Sequence, residues 1–373
     1  MIKNQIVKLI VPGLVFQSIL IAGGYGTGAE IAQFFGVNGM AGGLLGACVT
    51  FLCWSLVCAV TFEFCRVMQT FDYGSMMKQI LGPAAFLYDA CYWIMFLIVM
   101  GVVNASAGAI IEKLGFNQWI GIGVLSLGVL FLVIKGTETV ERALSVWSYV
   151  LCTVYLVFMV IVFVKFGSNI AAEVGKAEVA DTWLSKGLQY SFYNLVVVPL
   201  ILYTVRDFKS RKESVISGIF AGFLGIFPGT MLLLTMGCDF ANVTNSTVPI
   251  LAIFDRLDMP WLFWIFEFVL FVTLMETATG FVKAVVDRVD VAFKKTGQRE
   301  PTWFKPVVAV VPVLIGVAVS AFGLLGLIVK GYGTACWGFL CLFAVPMLTV
   351  GVYKIVRRSN CRRRYSQTES LMD

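Results

Sequence analysis

Long apolar runs separated by short polar segments dominate this chain. We find ten runs in which roughly 20 or more consecutive residues are mostly apolar, the length at which a helix crosses the hydrocarbon core of a bilayer. They cover residues 9–36, 40–65, 83–111, 117–134, 143–165, 185–205, 213–237, 260–286, 306–329 and 332–355. The pattern predicts an all-α integral membrane protein with ten transmembrane helices. Because the connections are short, we expect a single transmembrane domain over residues 1–356 and a basic, then disordered, tail over 357–373.

The composition supports a lipid environment and excludes several classes of protein. Only 13% of the residues are charged, whereas soluble domains carry about 25%. An ordinary cytosolic enzyme, a disordered chain and a secreted disulfide scaffold are therefore excluded. The chain has no His, which removes imidazole metal sites and Ser-His or Cys-His nucleophile pairs. We expect no enzymatic activity, no resident cofactor and no metal site, apart from a coupling ion considered below.

The distribution of basic residues predicts the orientation in the membrane. With the N-terminus in the cytoplasm, 22 of the 28 Lys and Arg residues fall on the inner side. Cytoplasmic loops of membrane proteins are enriched in Lys and Arg. We therefore expect a multi-pass protein of the plasma membrane with both termini in the cytoplasm. The net charge of +6 then reflects topology, and no nucleic-acid partner is expected.

The first apolar run carries a glycine cluster near mid-membrane, at Gly23, Gly24, Gly26 and Gly28. Each glycine in a helix interior costs about 1 kcal/mol relative to alanine. Glycines can also allow close helix packing, but they then recur on one face of the helix. Here they point in all directions, which favours a helix that is interrupted and non-helical near residues 23–27, where free backbone groups line a cavity or bind a ligand.

The sixth apolar run carries a matching interruption. Pro199 lacks an amide hydrogen and clashes with the carbonyl four residues back, so we expect the helix to be broken near residues 194–198. Each half of the chain, about 9–165 and 185–355, contains five runs. Because five is an odd number, the second half starts on the opposite side of the membrane, and the two halves are inverted relative to each other. Interrupted helices at corresponding positions of inverted repeats point to the midplane binding site of a secondary transporter.

These features resemble a known superfamily. The five-plus-five layout and the break Gly-Tyr-Gly-Thr-Gly are similar to the amino acid–polyamine–organocation superfamily, whose members have the LeuT fold. The opening VPGLVFQSILIAGGYGTGAEI and the second-run TFEFCR most resemble the YkvI-like bacterial membrane proteins. The resemblance implies a LeuT-like inverted repeat with broken helices 1 and 6, in a bacterial transporter.

The same resemblance and the break chemistry indicate where a solute would bind. Backbone amides of Gly26, Thr27 and Gly28 would hold a carboxylate or another acceptor at a helix N-terminus. Side chains of the sixth run and one polar side chain of the third would enclose the rest. The expected substrate-binding residues are Gly23, Gly24, Tyr25, Gly26, Thr27, Gly28, Asn104, Phe192, Tyr193 and Asn194.

A charged residue in the eighth run indicates a coupling site. Thr273, Glu276 and Thr277 share one helical face. In sodium-coupled members of the fold, hydroxyl groups here join carbonyls of the first break, which the resemblance matches to Ala22 and Tyr25. Since Glu276 stands where a neutral hydroxyl is expected, the coupling ion is either Na⁺ or H⁺, and a structural role for Glu276 stays open.

Glu30 is the second acidic candidate, in the first turn after the glycine break. It can cap the positive end of that helix, compete with an anionic substrate for the same amides, or pair with a substrate ammonium group.

The function that these features favour is secondary active transport by alternating access. The solute would be a small organic molecule, an amino acid or a related amine or acid, coupled to H⁺ or Na⁺. The chain has no Walker motif, so ATP is not the expected driver. The alternative is a membrane receptor that senses a solute with the same pocket.

Overall fold

The computed structural model describes residues 2–21, 23–135, 138–296, 304–358 and 360, and all regular secondary structure in these ranges is helical. The helices discussed below, in chain order, are α1 (Ile2–Leu20), α2 (Gly23–Gly26), α3 (Ala29–Phe34), α4 (Gly39–Met68), α5 (Tyr73–Leu81), α6 (Ala85–Lys113), α7 (Gln118–Lys135), α8 (Glu138–Gly175), α9 (Trp183–Asn194), α10 (Arg211–Met236), α11 (Phe240–Thr244), α12 (Pro249–Leu257), α13 (Pro260–Thr296), α14 (Phe304–Ser320) and α15 (Leu324–Arg358). Helix α15 passes through three π-helical stretches, Leu327–Tyr332, Leu340–Ala344 and Met347–Gly351.

Several of these helices can cross a membrane. Among the described residues, six helical segments are long and apolar enough by length and composition: Ala29–Met68, Tyr73–Lys113, Thr153–Gly175, Arg211–Met236, Pro260–Lys283 and Leu324–Arg358. Three shorter apolar helices accompany them, Ile6–Leu20, Gln118–Ile134 and Pro306–Ser320. Large apolar side chains such as Leu127 and Val164 remain 70% and 83% exposed, as expected of surfaces that face lipid. The chain is thus a multi-pass membrane protein, while the count of ten spans stays a prediction.

Three helices lie in segments where no element was predicted. The connection 66–82 contains α5, which Asp72 caps by accepting a hydrogen bond from the Ser75 amide at 2.8 Å. The loop 238–259 contains α11 and α12, and the carboxylate of Asp239 pairs with Arg256 between them. Short amphipathic helices such as these have no long apolar run to reveal them.

The two halves of the chain meet most closely where α4 packs against α10. A side chain at Gly218 would collide with the backbone of Ala59, and one at Gly222 would collide with Ser55 and the Phe51 carbonyl. Small residues let helix backbones approach to this distance in a membrane. The second apolar run is therefore locked against the seventh, and the core of the protein includes both halves of the sequence.

The predicted tail over 357–373 lies almost entirely outside the described residues; Arg357 and Arg358, at the end of α15, are exposed.

Candidate functional site

The first apolar run is divided into three helices. Helix α1 ends at Leu20, α2 forms one helical turn, and the chain then turns through Thr27 and Gly28 into α3. Gly28 has φ +80°, a conformation that residues with a side chain rarely adopt, so the turn requires glycine here. We predicted a non-helical stretch over 23–27; the chain instead keeps one turn of helix between two short interruptions. Ala22 lies outside the described residues.

Most polar backbone groups of this turn are bonded within the protein. The Gly24 carbonyl accepts from the Thr27 hydroxyl at 3.0 Å, and the Tyr25 carbonyl accepts from the Gly28 amide at 2.9 Å. The Gly26 carbonyl accepts from the Tyr155 hydroxyl of α8 at 2.5 Å. The Thr27 amide donates to the Gly23 carbonyl at 3.3 Å. A ligand therefore reaches the amides of Thr27 and Gly28 only by displacing these internal bonds.

The sixth apolar run changes helix type at its centre. Helix α9 ends at Asn194, and the chain continues as tighter 3-10 helix over Leu195–Leu200 and Leu202–Val205. Pro199 lies inside the first of these stretches, where its missing amide hydrogen interrupts the α-helical ladder. The Asn194 amide group donates back to the Tyr190 carbonyl at 3.0 Å. The interruption is thus a change of winding at the predicted position rather than an unwound loop.

Glu30 lies between these two interruptions. Its side chain is buried, and its carboxylate accepts hydrogen bonds from the Tyr193 hydroxyl and the Tyr25 amide. The absence of a side chain at Gly24 makes room for it, since a Cβ there would lie 2.5 Å from Glu30 Oε1. No ion pair to Glu30 is found among the described residues. The chain's own carboxylate therefore bonds to a backbone amide of the α2 turn.

Aromatic rings enclose the space beside Glu30. The ring of Tyr193 stacks on that of Tyr332 from α15, with centroids 4.5 Å apart and planes at 12°. A cavity of about 60 Å³, the smaller cavity, lies next to this pair. Its lining includes Gly23, Glu30, Asn194 and the rings of Tyr92, Phe96, Tyr193, Phe281 and Tyr332.

A larger cavity of about 370 Å³ adjoins the smaller one. The two share the side chains of Ile19, Tyr92, Leu200 and Phe281. The larger cavity is lined by residues of α1 before the first interruption and by α13, namely Ser18, Ile21, Thr273, Glu276, Thr277 and Gly280, together with Leu151 of α8. It therefore lies on the side of the interruptions from which α1 enters, the cytoplasmic side in the predicted orientation.

The structure brings together part of the predicted site. Gly23, Tyr193 and Asn194 line the smaller cavity, and Thr273, Glu276 and Thr277 line the larger one. Within α13, the Thr273 hydroxyl donates to the Val269 carbonyl at 2.8 Å, and that of Thr277 donates to the Thr273 carbonyl at 3.0 Å.

Other predicted site residues lie elsewhere. Asn104 accepts from the Ser126 hydroxyl of α7 at 3.1 Å and donates to the Met100 carbonyl at 2.8 Å, so it connects α6 with α7. The ring of Tyr25 lies against α10 at Gly229. Phe192 is half-buried and lines neither cavity.

Several contributors to the site were not found from the sequence. They are Tyr92, Phe96, Tyr155, Phe281 and Tyr332. Aromatic residues are common throughout this chain, at 14% of the residues, so composition does not separate those that face a cavity from those that face lipid.

Each of the two cavities is lined by one acidic side chain. Of the described residues that line them, Glu30 and Glu276 alone carry a formal charge. Within the part of the chain that the structure describes, no group of three or more Cys, Asp, Glu or His residues could hold a metal ion.

Comparison with known proteins identifies the fold. No protein-family model matches the chain, and no curated protein matches it significantly. Among solved structures, a manganese transporter of Eremococcus coleocola in complex with an aromatic bis-isothiourea compound is similar, with 15% identity over 93% of this chain and 79% of that one and a TM-score of 0.56. A single-substitution mutant of that transporter has 14% identity over 95% and 78% of the two chains and a TM-score of 0.53. A Na⁺-coupled sialic acid symporter in a substrate-bound outward-open state has 12% identity over 92% and 86% and a TM-score of 0.48.

The first two similarities cover nearly all of this chain and three quarters or more of the transporter. At this level of identity they establish the fold and not the substrate. The protein is a membrane protein with the LeuT fold, and the regular secondary structure of its described residues is helical.

Proposed function

We propose that the protein is a secondary active transporter that moves a small organic solute across the membrane by alternating access. The observation that carries the proposal is the smaller cavity, which lies against two helices that are both interrupted, one near the start of each half of the chain. Helices interrupted in this way surround the midplane sites of transporters built from inverted repeats. The fold shared with the manganese transporter supports transport as the general activity.

The proposal includes the architecture that the sequence predicts. The first half, about 9–165, and the second, about 185–355, form inverted repeats of one transmembrane domain with ten spans. Both termini lie in the cytoplasm of a bacterial cell, and the motifs of the chain resemble those of the YkvI-like proteins.

The proposed coupling site is the face of α13 that carries Thr273, Glu276 and Thr277. Both threonine hydroxyls donate to carbonyls of their own helix, so Glu276 provides the charged group of this face. A carboxylate in a partly enclosed cavity can carry a proton or bind a cation such as Na⁺. We favour H⁺, because a carboxylate stands where sodium-coupled relatives have a neutral hydroxyl.

Purified protein in proteoliposomes tests the proposal. A panel of labelled amino acids, amines and organic acids is offered with an imposed pH gradient, an imposed Na⁺ gradient, or neither. Concentrative uptake of one solute with one gradient is the expected result. Specific binding without flux under any gradient would favour the receptor alternative, in which the same pocket senses a solute.

A further inference from the structure

We propose that the site takes an organic cation, whose ammonium group lies beside Glu30 in the smaller cavity and whose organic part extends into the larger cavity. This inference rests on the proposed function and names the chemical class of the solute.

The charge of the cavities is the first argument. Glu30 and Glu276 are the charged groups among their described lining residues, and neither Lys nor Arg is present there to bind an anion. In a space of low dielectric constant, an ionised carboxylate such as that of Glu30 attracts a cation and repels an anion more strongly than it would in water. A carboxylic acid or phosphate would enter against this charge.

The helix interruption is the second argument. An anionic substrate group would need free backbone amides in the segment between α1 and α3. The Glu30 carboxylate already accepts from the Tyr25 amide there, and the Thr27 and Gly28 amides donate to carbonyls of the same turn. These amides are therefore not free to bind a substrate carboxylate, and Glu30 has no cationic partner among the described residues.

The aromatic lining is the third argument. Tyr92, Phe96, Tyr193, Phe281 and Tyr332 contribute rings around the same cavity as Glu30. Ring faces attract ammonium groups, and the attraction strengthens when the cation is desolvated. The smaller cavity, at about 60 Å³, has room for an ammonium group and an adjoining carbon or two, while the larger one, at about 370 Å³, accepts a longer chain.

The lining also separates an organic cation from a metal ion. Divalent cations such as Mn²⁺ prefer several oxygen or nitrogen ligands around one point. The smaller cavity offers one carboxylate and the side-chain amide of Asn194 amid aromatic and aliphatic groups, and the described residues contain no group of three or more His, Cys, Asp or Glu that could hold a metal ion. The match is to a primary amine with an apolar chain.

The test uses three probes with the same carbon skeleton, n-butylammonium, butan-1-ol and butyrate. Binding to the purified full-length protein in lipid nanodiscs is measured by calorimetry at about pH 8.5, where a primary amine with a pKa near that of lysine is still protonated. We expect n-butylammonium to bind at least tenfold more tightly than the other two. The proposal is overturned if butyrate or butan-1-ol binds more tightly than n-butylammonium. It is also overturned if Mn²⁺ binds more tightly than n-butylammonium and displaces it.

Variants locate the binding. Glu30→Gln keeps the shape of the side chain and removes the charge, so affinity for n-butylammonium should fall at least tenfold. Glu267→Gln is the matched control, since Glu267 is also a buried carboxylate but lines neither cavity, and its affinity should be unchanged. Tyr332→Leu removes one ring and keeps apolar volume, so it should weaken binding of n-butylammonium severalfold. This variant replaces Glu30→Gln in the test if Glu30→Gln does not fold. If Glu30→Gln or, where that variant does not fold, Tyr332→Leu binds n-butylammonium with unchanged affinity, the cation binds elsewhere and the proposal is overturned.

Transport assays separate this inference from the proposed function. Binding of n-butylammonium without flux of any solute leaves the cation site in place and removes transport. Concentrative uptake of an anionic solute, unaffected by n-butylammonium, leaves transport in place and removes the cation site.

Discussion

The carboxylate of Glu30 accepts a hydrogen bond from the phenol of Tyr193, a residue 163 positions further along the chain. The bond connects the second part of the first apolar run with the sixth, just before the latter changes from α-helix to 3-10 helix. Tyr193 also stacks on Tyr332, so α3, α9 and α15 meet at one point. Any movement of one interrupted helix relative to the other must rearrange this contact.

The first prediction concerns this bond. Tyr193→Phe removes the hydroxyl donor and keeps the ring, so the buried carboxylate of Glu30 loses one of its two hydrogen bonds. We expect the free energy of unfolding to fall by about 2 kcal/mol, the typical cost of leaving a buried acceptor without its hydrogen-bond partner. Thermal unfolding in detergent measures the change. The matched control is Tyr190→Phe, because the Tyr190 hydroxyl is buried without a hydrogen-bond partner among the described residues, and its removal should be neutral or slightly stabilising. Equal effects of the two substitutions would contradict the role given to the Glu30–Tyr193 bond.

The second prediction concerns the space that Gly24 leaves for Glu30. A methyl group in Gly24→Ala would lie 2.5 Å from Glu30 Oε1, so the flexible carboxylate must move and give up its present partners. We expect solute uptake to fall at least tenfold while the protein still elutes as a folded species in size-exclusion chromatography. Gly123→Ala in α7 is the control, since a side chain there meets nothing within 4 Å. Wild-type uptake by the Gly24 variant would show that the position of Glu30 is unimportant.

The third prediction concerns ion coupling. Glu276→Gln keeps the shape of the side chain but cannot titrate, so we expect uptake to lose its pH dependence while exchange of solute for solute persists. Uptake and exchange are measured across series of pH and Na⁺ concentration. If Na⁺ is the coupling ion, the same variant needs more Na⁺ for half-maximal uptake, because a neutral ligand attracts a cation less strongly. If uptake by the variant depends on pH and on Na⁺ in the same way as uptake by the wild type, Glu276 has a structural role.

The fourth prediction concerns the loop over residues 238–259, where Asp239 at the start of α11 pairs with Arg256 of α12. Hydrogen bonds from Asn242 lower the pKa of Asp239 below its ordinary value, burial opposes this shift, and pairing with Arg256 adds to it. A lowered pKa in the folded state contributes stability that is complete above the unfolded-state pKa of about 3.9 and is lost as the pH falls through the folded-state value. We expect Asp239→Asn to destabilise the protein at pH 7 by roughly 0.5–1 kcal/mol, as for a partly exposed pair, and by less at pH 3.

Thermal unfolding at the two pH values measures this difference. Asp258→Asn is the control, because Asp258 is exposed and ends α12 in a left-handed conformation that asparagine also adopts. A destabilisation by Asp239→Asn that is as large at pH 3 as at pH 7 would show that its charge is not the cause.

The sequence carried most of the information about where helices are interrupted. The glycine cluster and Pro199 predict both interruptions, because the missing side chains and the missing amide hydrogen act locally. The form of the interruptions was not predictable in the same way. The α2 turn is held by the Tyr155 hydroxyl, which is 129 residues away from the carbonyl of Gly26, and a local pattern contains nothing about that contact.

Which side of its helix a residue lies on was harder to predict than its depth in the membrane. Asn104 lies deep in α6 as expected, yet it contacts α7 rather than the cavity. Helix α6 is apolar on all sides over most of its length, so its sequence has no polar stripe to indicate which side faces the site. By contrast, Thr273, Glu276 and Thr277 form a polar face on α13, and all three line the larger cavity.

The glycine contacts between α4 and α10 have a consequence for biosynthesis. The face of α4 around Ala59 and Ser55 fits against Gly218 and Gly222, more than 150 residues later in the chain. During synthesis the second apolar run therefore leaves the ribosome long before its partner exists, and its small-residue face must wait in lipid or against the insertion machinery. The N-terminal half therefore cannot reach its final packing by itself, and this contact forms only after the seventh run has been added.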